Sequence, residues 1–250
     1  MGKIRKTVIC MMVLIFIAGL CVFLYPPIRG LVLDWKVSEG ARSFLELVAP
    51  QKKPDSTVIP EEPTPTEEPI EHQELWDAVN AYNREIWHQR QAYLTDPWAY
   101  QQPSFTLGDF GLEDEVFAVI SIPAIELEMP IYLGASPDHL SLGAAHLSQT
   151  SLPVGGANTN CVLAGHRGWH NGKYFYNIVS LKPGDEVLIT NMWGTLRYQV
   201  CETKVIESYE IDKIKIQEDR DLLTLLTCYY ASNNHKMRFA CYCERIYENE

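Results

Sequence analysis

From Phe117 onward the chain is a succession of short apolar segments: "FAVISIP", "MPIYLG", "NCVLAG", "DEVLIT", "TLRYQVCETKVI", "LLTLLT" and "MRFACYCERI". Each is rich in β-branched, aromatic or leucine residues and too short for a buried helix, and "KPGD" and "NMWG" punctuate two of them as turns. Seven such runs within about 130 residues, with few helical stretches between them, predict a mainly β fold, a closed barrel or a sandwich. No internal repeat is present.

The first 70 residues do not share this pattern. Lys3, Arg5 and Lys6 precede Val8 to Tyr25, an 18-residue run without a charge. That length sits at the lower end of what crosses a bilayer as a helix, where about 20 residues is typical. No small-x-small cleavage site follows, because the run passes into "YPPIRG". A lipoprotein signal needs a small residue before Cys21, where Leu20 stands. Residues 1–30 are therefore expected to be an uncleaved transmembrane anchor. The basic flank favours a cytoplasmic N-terminus, with the remainder exported to the extracellular side.

Residues 31–70 read as a juxtamembrane segment and a Pro/Glu-rich spacer. "PQKKPDSTVIPEEPTPTEEP" holds six prolines and almost no apolar surface, so it is expected to stay unfolded and extended. At about 3 Å per residue it reaches roughly 60 Å, enough to space a domain from the membrane. Residues 71–110 read as a helix with a following irregular segment: Leu75, Val79, Tyr82 and Ile86 recur at helical spacing. "TDPW" ends the helix, since a residue before proline leaves the helical region. Residues 111–250 carry the strands, with Glu113 and Asp114 expected in solvent at the first of them.

The formal charge is -11, from 32 acidic and 21 basic residues. The basic anchor flank leaves the exported part more acidic still, which does not suit nucleic acid, whose phosphates need clustered Lys and Arg. Outside the anchor stand five cysteines, Cys161, Cys201, Cys228, Cys241 and Cys243. An odd number leaves at least one thiol unpaired within the chain, and the spacing does not decide any disulfide. Cys241 and Cys243 read as alternating to opposite faces of their strand, against a shared metal. His166 and His170 are four apart, but "HRGWH" has no helical pattern to present them to zinc. No phosphate-binding loop occurs.

"TLLTC" places Cys228 at the end of an apolar strand. Buried cysteines are commonly inert, whereas a nucleophilic one needs a thiolate, a proton carrier and an oxyanion donor. "LAGHRG" offers His166 at the end of another strand, and "NNHKMRF" offers Arg238 ten residues after Cys228, at the start of a strand that returns beside the first. These residues, with "SLPVGGANTNCVLAGHRG", "YFYNIVSLKPGDEV" and "DPW", resemble the sortase family of cysteine transpeptidases, and class C, the pilus-assembling class, most of all. The likeness runs from about Trp76 to Ile246.

The resemblance implies a closed sortase-type β-barrel with peripheral helices. It implies Cys228 as nucleophile, His166 as general acid and base, and Arg238 as oxyanion or substrate-backbone donor. Thr227 is secondary, and Asp96 and Trp98 form a lid over the site. Substrates would carry an LPxTG-like sorting signal, and the acceptor would be an amine, a pilin lysine or a cell-wall peptide. No cofactor or metal is implied. The chain departs from the class in two respects. "HKMR" puts Lys236 near the place where the arginine commonly follows a histidine, and the sequence given ends at Glu250 where class C members continue into a second membrane helix. "RFACYCERI" also fits class B, so a housekeeping or class B sortase is the near alternative and a tethered non-catalytic scaffold the distant one.

Overall fold

A computed structural model describes residues 2–49, 72–94, 102–103, 105–112, 115–168, 174–229 and 237–247. Eight strands close into a barrel in the order β1-β2-β3-β4-β7-β8-β6-β5. They are β1 (Val116–Ile122), β2 (Leu127–Leu133), β3 (Ala144–His146), β4 (Thr159–Ala164), β5 (Glu186–Asn191), β6 (Gly194–Glu207), β7 (Asp221–Cys228) and β8 (Met237–Arg245). Closure removes exposed sheet edges, whose unpaired amides would otherwise invite other chains. Seven of these strands match the seven runs legible in the sequence. The eighth, β3, is three residues long, too short for a period-two pattern. The pairs β2–β3 and β4–β7 are parallel, and the remaining neighbours are antiparallel.

Strand alternation divides the apolar side chains into two layers. Ile120, Ile131, Leu163, Ile189, Leu225 and Phe239 fill the barrel interior. Leu147, Val162, Ile206, Ile214, Leu226 and Ala240 form a second cluster on the outer face of β4, β7 and β8. Covered on both faces, β7 is buried from Asp221 through Thr227, which is why it reads as a continuous run. Its two threonines are paired: Thr224 Oγ1 donates to Asn160 Oδ1 at 3.0 Å and Thr227 Oγ1 to the Gly165 carbonyl at 2.9 Å.

Cys241 and Cys243 do not point to opposite faces. Residues two apart on a strand share a face, and both thiols lie in the interior with their sulfurs 4.0 Å apart. All seven cysteines are free thiols.

Two long helices lie against the barrel. In α2 (Gln73–His88), Leu75 and Val79 join the interior cluster. Asn83 on the same helix is clamped by the backbone of Leu152, accepting from its N–H at 2.8 Å. Helix α1 (Gly2–Val48) runs through Pro26 and Pro27, and its stretch Arg5–Val48 is long and apolar enough to cross a membrane. Its C-terminal part docks on β1 and β2, where Ala41 and Phe44 are each 1% exposed against Val116, Val119 and Tyr132. Burying a phenylalanine side chain there contributes about 2 kcal/mol. The Pro/Glu-rich tract, the Asp96–Trp98 segment and the pair Glu113 and Asp114 lie outside the described residues.

Candidate active site

Parallel pairing brings two strand ends together. Ala164 on β4 is level with Leu226 on β7, so His166, two residues beyond Ala164, is level with Cys228. The backbone continues the register past the strand, because Gly165 N donates to the Leu226 carbonyl at 3.0 Å. On the other flank the β7–β8 ladder pairs Cys228 directly with Arg238. By strand parity all three positions fall on the outer face, with Val162, Leu226 and Ala240.

Their side chains line one cavity of about 320 Å³, together with Leu147, Ile206 and Ile214 as apolar walls and Glu207 and Glu210 at the rim. Cys228 is half-buried. Arg238, also half-buried, donates to the carbonyl of Met237 at 3.0 Å. His166 has an open edge toward solvent, and its buried side lowers its pKa, since burial disfavours the imidazolium. The ring is therefore mostly neutral at pH 7, able to take a proton from a neighbouring thiol and return it. Thr227 is buried and ties β7 to the His166 loop through Gly165. A side chain on Gly165 would meet the Phe175 ring at 2.6 Å, so this position needs glycine for close approach.

A thiol, an imidazole and a guanidinium at adjoining strand ends of one partly apolar groove suit acyl transfer through a covalent thioester. Cys228, His166, Arg238 and Thr227 are thus gathered as the sequence suggested. Asp96, Trp98, Lys236, Trp169 and His170 lie outside the described residues. The groove walls were not visible in the sequence. Leu147 follows β3, Ile206 ends β6 and Ile214 lies in the β6–β7 connection, and no local pattern joins them. Tyr174, whose ring meets that of His166 at 6.4 Å, was also missed.

Comparison with known proteins fits this geometry. A sortase-domain family model matches residues 120–246. Sortase D of Bacillus subtilis is 30% identical over 131 residues, covering 51% of this chain and 63% of that protein; the chain thus spans less than two thirds of this relative. Among solved structures, sortase C1 of Group B Streptococcus pilus island 1 superposes with a TM-score of 0.65 at 28% identity, over 86% of this chain and 94% of that one. A lid mutant of Streptococcus agalactiae sortase C1 gives a TM-score of 0.62 at 28% identity, over 73% and 92%.

Proposed function

Because the chain belongs to the sortase family, we propose that it is a membrane-anchored cysteine transpeptidase that cleaves LPxTG-like sorting signals and joins the acyl group to an amine, a pilin lysine. The observation that carries the reading is the cavity shared by Cys228, His166 and Arg238. His166 takes the proton of the Cys228 thiol, and the thiolate sulfur attacks the carbonyl carbon of the Thr–Gly bond. Arg238 donates to the oxyanion that forms. As the carbon–nitrogen bond breaks, His166 returns the proton to the departing glycine nitrogen, leaving a thioester. The acceptor amine then attacks the thioester carbonyl and gives a proton to His166. The Cys228 sulfur leaves and is reprotonated.

The pilin acceptor is favoured over a cell-wall peptide by the structural relative described as a pilus-island enzyme. The anchor is supported by α1, whose best apolar window has a mean hydropathy of 2.9. A lid at Asp96–Trp98 is supported by the relative described as a lid mutant and by both flanks of that segment. Leu94 is buried in the cluster that walls the cavity, and Ser148, next to the wall residue Leu147, donates to the carbonyl of Gln102.

The test is to incubate the protein with a sorting-signal peptide and two competing amines, a lysine side chain in a pilin-like peptide and a cell-wall stem peptide. Products are identified by mass. Amide formation on lysine supports the reading, while exclusive use of the stem peptide points to a housekeeping or class B role. Lys236→Ala in the same assay tests the "HKMR" ambiguity: a larger loss there than at Arg238→Ala transfers the oxyanion role to Lys236.

A further inference from the structure

The segment that follows the His166 loop re-enters the described chain at Tyr174 with φ of 54°. This left-handed backbone is unfavourable for a bulky aromatic residue and persists only where the surroundings over-determine it. Three contacts do so. The Tyr174 hydroxyl donates to the carbonyl of Ser141 in α3 (Pro137–Leu142) at 2.8 Å. Its ring stands edge-on to that of His166 at 75°, within the range where such pairs attract. The next amide, Phe175 N, donates to the His166 carbonyl at 3.0 Å. The structure therefore holds both the backbone and the ring of His166 from this one turn.

We propose that Tyr174 is a positioning residue that fixes the His166 imidazole at the Cys228 strand end. The proposal rests on the reading of His166 as the proton carrier. Behind Tyr174 stands α1: Tyr174 lines a cavity of about 350 Å³ together with Asp34 and Val37 of that helix. Burial first, and the Asp34 carboxylate second, raise the Tyr174 pKa and keep its hydroxyl protonated as a donor. The docked end of α1 thus backs the strut that holds the histidine.

Among the described residues, the groups around His166 are Cys228 on β7, Arg238 on β8, Glu207 at the end of β6 and Glu210 just beyond it, which share its cavity. Arg167 of its own loop lies over the Tyr229 ring at 5.5 Å, and Tyr174 with Asp34 completes the set. Tyr174 makes a ring contact with the imidazole without contributing charge at neutral pH. Its removal uncovers the side of the ring that Tyr174 packs against and lets it turn.

The experiment compares Tyr174→Leu and Tyr174→Phe in the full chain, reading kcat, KM and the His166 titration by NMR of the imidazole. For Tyr174→Leu, kcat falls about ten-fold, within the ~100-fold that a misplaced group loses, while KM stays within about two-fold. The His166 pKa moves up toward its ordinary value as burial is relieved. Tyr174→Phe keeps the ring and loses only the tether to Ser141, so both readouts move the same way by less. Should the leucine variant not fold, the phenylalanine variant decides alone: movement of both readouts upholds the proposal. An unmoved titration overturns it, whether or not kcat falls, because a purely structural tyrosine would cost activity only through stability. His166→Ala run in parallel keeps the two ideas apart, since full activity there would sink the catalytic reading instead.

Discussion

Strand β7 has two very different ends. At its start the Asp221 carboxylate is buried and accepts from three donors, Gly156 N–H at 2.8 Å, the Tyr198 hydroxyl at 3.0 Å and the Tyr247 hydroxyl at 3.1 Å, while the Thr159 hydroxyl, 3.3 Å away, donates to the Gly156 carbonyl at 2.6 Å. Arg245 lies over both tyrosine rings, 5.5 and 5.6 Å from their centres. This node ties β4, β6, β7 and the segment after β8 together. At the other end Cys228 faces an open groove between Arg238 and His166. One strand thus joins a buried polar node to the candidate site. The buried hydrogen bonds to Asp221 rigidify this end of the barrel, whereas Cys228 at the far end is only half-buried in its groove.

The comparison breaks most readily at Asp221. Asp221→Ala strands the Tyr198 hydroxyl in the interior, and an unsatisfied buried donor costs about 1–3 kcal/mol, whereas the Gly156 amide sits at the exposed edge within reach of water. A loss of about 2 kcal/mol in denaturant stability is expected, with near-normal transpeptidation per folded molecule. Loss of activity without loss of stability would erase the distinction between the ends.

The second effect is acid sensitivity of the frame. His146 is fully buried on β3, and burial lowers its pKa from 6.5 to about 4 against the opposing effect of its hydrogen bonds to the Thr150 and Ser151 carbonyls. The unfolded chain binds a proton at 6.5 that the folded chain refuses until about 4. Stability is therefore fully present above 6.5 and falls with pH toward 4 by about 3 kcal/mol. Denaturant midpoints measured across that window should show the slope, and His146→Gln should flatten it.

At the open end, His166→Ala and Arg238→Ala should each lower kcat by about 100-fold or more. Neither should change stability by more than about 0.5 kcal/mol, as at partly exposed sites. The smallest effect belongs to the segment outside the described residues. Asp96→Ala with Trp98→Ala should speed alkylation of Cys228 by a small thiol reagent and slightly lower the melting temperature. An unchanged rate would reduce "DPW" to a helix stop.

These two ends were not equally legible in the sequence. Cys228, His166 and Arg238 stood out as candidates because their short strand-end motifs resemble a known family, and because the return of β8 puts Arg238 beside Cys228 by simple counting, as the β7–β8 register has it. The Asp221 node was invisible: its donors come from Gly156, Tyr198 and Tyr247, which only barrel closure brings together. Cys241 and Cys243 were misread through parity, since a spacing of two keeps a strand's side chains on one face. The end of α2 was approximate as well, because Arg90 and Gln91 take left-handed backbone at φ 52° and 50° and turn the chain before "TDPW". The role of α1 exceeded that of an apolar span, because Ala41 and Phe44 find their partners on β1 and β2, which no local pattern announces.

The central claim is that Cys228, at the open end of β7, is the acyl-carrying nucleophile. The most direct measurement is intact-mass and peptide mapping of the protein after reaction with a thiol-reactive sorting-signal analogue. A single adduct on Cys228, absent from Cys228→Ala and slowed in His166→Ala, is the result the account predicts. An adduct on Cys201, the exposed thiol of β6, with Cys228→Ala still labelled and active, would contradict it.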